Sequence, residues 1–422
     1  MEYFLESIID ILMICGMILD KAHLSFWENI GDNIFFFFFT TFGWIPFFEV
    51  YLFVIICGVV LYWLTRIILG SQSKSKGFYE HQKIAKRKVA WLNTLLIFLP
   101  FLVFLTSFGL FYDVIGLTHS IQHSTRVYDT HSPNMLAFIA ALSFILLGVI
   151  VVSYIVKSIL MNRHGIDNLA KRLDAKEITE EQTLNDKQKM LLNIVEEMAI
   201  ASSMKMPRVF VIENEYGINA MCSGERFGKA SEQIAIFVTQ GALEAFTREE
   251  LQGVIGHEFS HAFHQDVALN LKIFSLVFAL TCLVEIGIAI MRSSSRSKNN
   301  KNGGAVILIA LVFFVLGAIS STLASIIQAA ISRQKEFLAD ASSVQYTRNP
   351  NAIKSALNKL LEIQKNSEIA TSLDDYKKTQ VGALSNPQAK ACSHMFFLSG
   401  FKSVFATHPS LEERIQSLNK MS

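Results

Sequence analysis

The stretch VIGHEFSHAFHQD, residues 254–266, sets His257, Glu258 and His261 in the order H-E-x-x-H. Just upstream, in FTREELQG, Thr247 and Glu250 have the Thr-x-x-Glu spacing of a capping box. That spacing predicts a helix that begins there and runs through the motif. On such a helix, side chains four apart lie on one face, a turn above each other, so His257 and His261 reach a single ion. Glu258, offset by one position, falls beside it. Neutral imidazoles suit Zn²⁺, and two histidines plus one carboxylate with an open fourth position is a catalytic arrangement, not a closed structural one. A chance H-E-x-x-H arises in roughly one chain in a hundred of this length. The reading therefore needs a third ligand from elsewhere.

The rest of the chain is oily. Of 422 residues, 51% are hydrophobic and 18% charged, with mean hydropathy +0.36, the balance of a chain partly solvated by lipid. Runs of the roughly 20 apolar residues that a bilayer requires fall near 47–69, 90–112, 134–160, 267–291 and 304–328. Two more apolar segments, 3–19 and the aromatic 33–46, read equally as interfacial, re-entrant or bent. Net charge is +2, which offers no field for nucleic acid. The five cysteines, Cys15, Cys57, Cys222, Cys282 and Cys392, form no CxxC pair, and Glu2, Glu6 and Asp10 argue against a cleaved signal peptide.

Charge placement orients the spans. The loop 66–91 carries seven basic residues against Glu80 and is expected in the cytoplasm; 113–133, with one arginine and two aspartates, is expected outside. Residues 162–266 then return to the cytosol. The outer loop RSSSRSKNNKNGG, with four basic residues, runs against this count and is outvoted by two larger clusters.

The third ligand is offered by SRQKEFLADASSV, in which Glu336 and Asp340 share a helical face. Between His261 and Glu336 lie the spans 267–291 and 304–328, and two crossings return the chain to the side it left. Asp340 is placed to accept a hydrogen bond from the distal nitrogen of a metal-bound histidine. A solvated acidic pair on an amphipathic helix is the competing reading for these two residues. Between 162 and 266 the pattern is mixed: helical spacing over 184–204, β-branched runs RVFVIE after Pro207 and QIAIFVT at 233–239, and a short segment INAMC between them.

NIVEEMAIASSMKMPRVFVIENEYGINAM, LQGVIGHEFSH, ISRQKEFLADASSVQYTRNP, SHMFF and FATHPSLEERI, in that order from about 185 to 422, resemble the HtpX-type membrane-embedded zinc peptidases, relatives of the CAAX prenyl proteases. The resemblance implies a gluzincin site around one zinc, with His257, His261 and Glu336 as ligands, Glu258 as general base and Asp340 behind the ligands. It also implies that Asn219, Ala220 and Met221 form an edge strand beside the cleft, with Met in place of the family's Phe. His408 and Arg414 match its His-Pro-x-x-x-x-Arg motif, implying stabilisation of the transition state. Where many relatives have Asn in HExxHxxNxD, this chain has His264, with Asp266 kept; His264 either competes for metal or lines the cleft. FYEHQKIAKRK at 78–88 resembles the start of shorter relatives, so residues 1–76 look like an added membrane segment.

The expected fold is a multi-pass α-helical membrane protein with an α+β gluzincin-type catalytic domain. Its parts would be an N-terminal membrane region (1–161), a first catalytic half (162–266), a membrane hairpin (267–328) and a second half (329–422). The expected function is zinc-dependent hydrolysis of peptide bonds in protein substrates, in membrane-protein quality control at the inner membrane and facing the cytosol. A dedicated processing protease, a silent scaffold or chaperone, and a transporter are the alternatives. His119 and His123 stand four apart in an outer loop with no carboxylate partner of suitable kind, Glu285 sits within a span where snorkelling competes with function, and Cys222 reads as a small apolar filler.

Overall fold

A computed structural model describes residues 77–122, 133–161, 166–224, 234–296, 303–369 and 408–421. The apolar runs 3–19, 33–46 and 47–69 lie outside these residues. In chain order the elements are α1 (Phe78–Gln122), α2 (Pro133–Met161), α3 (Ile166–Leu173), β1 (Lys176–Ile178), α4 (Asp186–Ser202), β2 (Arg208–Ile212), β3 (Ala220–Gly224), β4 (Ile234–Thr239), α5 (Gln240–Ala245), α6 (Arg248–Phe263), α7 (Asp266–Arg296), α8 (Gly303–Thr347), α9 (Pro350–Ile369) and α10 (Leu411–Asn419).

Contacts divide the chain into two compact units. The described residues of the first are 95–122, 133–154, 277–296 and 303–324. Its helices are apolar on most sides, and Phe98, Phe101, Phe138, Ile145 and Val152 are exposed, as lipid-facing side chains are. Phe111 meets Phe313 in the interior at 5.8 Å, and Phe104 meets the exposed Phe144 at 5.2 Å, between ring centroids. Two glycines let α7 and α8 touch. A Cβ on Gly287 would stand 2.7 Å from the Phe314 nitrogen, and one on Gly317 would stand 2.7 Å from the Val284 nitrogen, the close backbone approach by which membrane helices pair. Hydroxyls of Thr106, Ser143 and Ser320 bond back to carbonyls four residues earlier, so none is left bare in the apolar interior.

Among the described residues four helices contain stretches long and apolar enough to cross a membrane: Phe78–Tyr112, Ala137–Leu160, Asp266–Ser294 and Val306–Thr347. These match four of the five expected spans. α1 continues to Gln122, so His119, expected in a loop, is helical, while His123 lies outside the described residues.

The described residues of the second unit are 77–94, 155–161, 166–224, 234–276, 325–369 and 408–421. The unit is built on a four-stranded sheet in the order β1-β2-β4-β3. β2 and β4 are parallel, with Val209 opposite Ile236 and Val211 opposite Val238, whereas β1 and β3 join antiparallel at the two ends. The runs RVFVI and IAIFVT form these strands because β-branched and aromatic residues fit a pleated, buried surface. Every residue of β4 is buried. On one face Val209, Val211, Ile236 and Val238 pack with Leu191, Val195, Val254 and Ile255 of α4 and α6. On the other, Phe210 and Phe237 stack at 4.8 Å under Ile166 and Leu173 of α3, a pairing worth about 1 kcal/mol beyond its burial. β1 is too short to carry a periodic signal, whereas α3, missed in the sequence reading, shows one in the helical spacing of Ile166, Leu169, Ala170 and Leu173.

α6 is fixed at its start by the expected box. The Thr247 side chain accepts from the Glu250 N–H, and Glu250 Oε2 accepts from the Thr247 N–H at 3.0 Å. Glu250 also receives Lys359 Nζ at 2.7 Å and Ser355 Oγ at 2.7 Å, both on α9. Burial raises the Glu250 carboxyl, yet these bonds outweigh it and hold its pKa at about 2 against an ordinary 4.5. A carboxylate depressed in this way contributes stability above the unfolded value and loses it as pH falls through the folded one. The native chain is therefore expected to unfold hotter than Glu250→Gln at neutral pH, by up to about 3 kcal/mol. The gap should close between pH 4.5 and about 2. A gap in melting temperature that stays constant across that window would contradict the assignment.

Candidate metal centre

α6 is buried along nearly its whole length, and with it His257 and Glu258, 0% and 2% exposed. The two histidines lie a turn apart with rings edge to face at 4.7 Å, and their Nε2 atoms stand 3.1 Å from each other. Glu336, from the middle of α8, brings Oε2 to 3.4 Å from His257 Nε2 and Oε1 to 3.6 Å from His261 Nε2. Asp340, one turn further along α8, meets His257 Nδ1 at 2.9 Å. His261 Nδ1 meets Asp266 Oδ2 at 2.8 Å.

These bonds fix the tautomers. A carboxylate only accepts, so each Nδ1 carries the proton and each Nε2 presents a lone pair. Two lone pairs facing at 3.1 Å repel unless a proton or a metal ion lies between them. Nitrogens held about 2.0–2.1 Å from a tetrahedral zinc stand roughly 3.3 Å apart, close to what is found. Glu336 Oε2 is buried and accepts no hydrogen bond, although Arg414 Nη1 lies 3.3 Å away. His257, His261 and Glu336 are also the group among the described residues able to offer one ligand atom each within a shared space. The donor set fits zinc.

The field agrees. Burial opposes a proton on His261, but Asp266, Glu336 and Glu258 prevail and raise its pKa to about 9, the potential that draws in a cation. Burial pushes the Glu258 carboxyl up, partly offset by the two histidines and by the Cys222 N–H that donates to it. Burial likewise pushes the Cys222 thiol well above its ordinary value, leaving it an inert filler as read from sequence.

Residues 185–422 match the model of peptidase family M48. The chain belongs to peptidase family M48. Over 250 residues it is 35% identical to the Protease HtpX homolog of Streptococcus agalactiae, spanning 59% of this chain and 77% of that protein. It is 34% identical over 250 residues to the homolog of Streptococcus uberis, spanning 58% and 76%. The crystal structure of Ste24p from S. mikatae aligns with 88% of this chain and 97% of its own at 16% identity and TM-score 0.36, too low to carry weight. As an M48 peptidase with four helices among its described residues long and apolar enough to cross a membrane, the chain is a multi-pass membrane metallopeptidase that acts on peptide substrates.

The other expected site residues gather here too. His408 Nδ1 lies 3.1 Å from Glu336 Oε1. Arg414, 1% exposed, binds Asp340 through Nε at 2.9 Å and Nη2 at 2.6 Å. The segment 219–221 runs into β3, which pairs with β4 on one side and, among the described residues, with nothing on the other. Asn219 is stitched to Thr239, and its Oδ1 accepts from the Ala220 N–H at 3.1 Å. Its buried Nδ2 has no hydrogen-bond partner. His264 does not join the metal group. It caps α6, its Nδ1 bonded back to the Ser260 carbonyl at 2.9 Å, because the helix ends there and its last carbonyls need donors.

Sequence reasoning missed that Asp266 stands behind His261. A residue five places on is off the helical face; it reaches back only because Gln265, at φ 57°, turns left-handed between α6 and α7. The signal available was the acid kept after the motif.

Proposed function

We propose that this M48 peptidase is a zinc endopeptidase of the inner membrane. Its catalytic domain, in two halves near 162–266 and 329–422, faces the cytosol and clears misfolded or surplus membrane proteins. The observation that carries the chemistry is the pair of opposed Nε2 atoms, each imidazole backed by its own carboxylate, with Glu336 in reach. A zinc ion held by His257, His261 and Glu336 supplies Lewis acidity, polarising a carbonyl and making a water more acidic. Glu258 takes the proton of the attacking water and delivers it to the leaving amine; its raised pKa makes it a stronger base than a solvated carboxylate.

An extended peptide adds to the open side of β3, where main-chain bonds give affinity with little demand on sequence. The unsatisfied Asn219 Nδ2 offers a donor to a substrate carbonyl. His408, 13% exposed, is the donor assigned to the tetrahedral oxyanion. Arg414, expected beside it in that role, is assigned instead to holding Asp340 and Glu336, because its guanidinium is buried against both carboxylates.

Detergent-purified full-length chain is expected to bind one zinc per molecule and to cleave casein or itself. A chelator should abolish the cleavage and added zinc restore it. Zinc-free protein with undiminished cleavage would remove the reading. Bound zinc with no cleavage would favour a scaffold or chaperone that keeps the peptidase fold.

A further inference from the structure

The two metal-facing histidines are backed in the same way. Behind His257 stands Asp340, and behind Asp340 the buried guanidinium of Arg414. Behind His261 stands Asp266, whose other oxygen, Oδ1, lies 3.4 Å from Lys335 Nζ. Lys335 is only 3% exposed. An ammonium withdrawn from water costs several kcal/mol unless its donors are used, and here they are. Besides Asp266 Oδ1, Nζ reaches the Asp266 carbonyl at 3.3 Å and Asn270 Oδ1 at 2.9 Å. All three acceptors sit in the first turns of α7, immediately after the left-handed break at Gln265.

Lys335 and Glu336 are consecutive on α8, and their side chains meet His261 from opposite sides. Glu336 Oε1 stands 3.6 Å from its Nε2, and Lys335 grips the carboxylate bonded to its Nδ1. One peptide unit of α8 thus sets both the third ligand and the rear support of the second. We infer that Lys335 is a positioning residue for the metal centre, which orients His261 through Asp266 as Arg414 orients His257 through Asp340. Carboxylates behind metal-bound histidines typically contribute 10–100-fold in metal affinity; a residue acting through one of them is expected to contribute near the lower end.

The inference rests on the zinc reading, and the experiment separates the two. Zinc affinity is measured by chelator competition on the full-length chain in detergent, with melting temperature recorded alongside. The native chain must first take up zinc; if it takes up none, both readings fall. Given uptake, Lys335→Gln is expected to weaken zinc roughly 10-fold, Lys335→Arg to recover most of that, and Asp266→Asn to weaken it at least as far. In the Asp266→Asn background, Lys335→Gln should add almost nothing, since a residue acting through another is silent once that partner is gone. Lys359→Met, which breaks the ion pair to Glu250 two turns before His257 at the start of α6, should lower the melting temperature and leave zinc affinity unchanged. The proposal is overturned if folded Lys335→Gln binds zinc as the native chain does. It is also overturned if the substitution weakens zinc equally with and without Asp266, which would make Lys335 a general clamp between α7 and α8.

Discussion

Glu258→Gln should lower peptide hydrolysis by on the order of 10²–10⁴-fold, the contribution of a positioned general base, and leave zinc bound. The substitution keeps volume and removes only the capacity to take a proton. Glu258 is outside the group His257, His261 and Glu336 that offers the ligand atoms, so metal content should match that of the native chain. Glutamine still accepts the Cys222 N–H that the carboxylate receives, and the local backbone keeps its partner. Initial rates on casein, with zinc measured on the same preparation, decide the matter. Hydrolysis at the native rate would strip Glu258 of its role, and loss of zinc along with rate would place it among the ligands.

Gly253→Ala is expected to damage the chain more than any exposed substitution. The Cβ it adds would lie 2.5 Å from the Ile353 nitrogen, 2.8 Å from the Ala352 carbonyl carbon and 2.9 Å from the Ile353 Cα. All are main-chain atoms of α9 that cannot rotate aside, so α6 and α9 must separate. The Gly253 carbonyl also accepts Ser343 Oγ of α8 at 2.6 Å, which ties the motif helix to the helix of Glu336. Overpacking of this kind costs typically 1–3 kcal/mol and sometimes more, and here the strain falls one turn from His257. A melting temperature lowered by several degrees together with weaker zinc binding is expected. Unchanged stability would mean that α6 and α9 are not held as tightly as the contact implies.

The chemistry was legible in the sequence because helical spacing is rigid. A capping box, two histidines four apart and a Glu-x-x-x-Asp pair each fix a geometry within one element, and α6 and α8 keep those geometries. The strands at 208–212 and 234–239 were legible from composition, whereas the edge strand at 220–224 came from the family resemblance. Relations that depend on how the chain turns were not. Asp266 comes behind His261 through a single left-handed residue, Lys335 reaches Asp266 across 69 positions, and Arg414 reaches Asp340 across 74. No local periodicity encodes such meetings. The family resemblance supplied His408 and Arg414, yet it could not divide their tasks, which the burial of one and the partial exposure of the other suggest.

The Cys222 amide that donates to Glu258 belongs to β3, the strand assigned to dock the substrate. The proton acceptor on α6 is thus tied to the docking strand by a main-chain group, so a peptide aligned on that strand is brought towards the acceptor. Because the donor is the amide and not the thiol, that tie survives any small replacement of Cys222 that leaves the strand in place, and proline alone removes the donor outright.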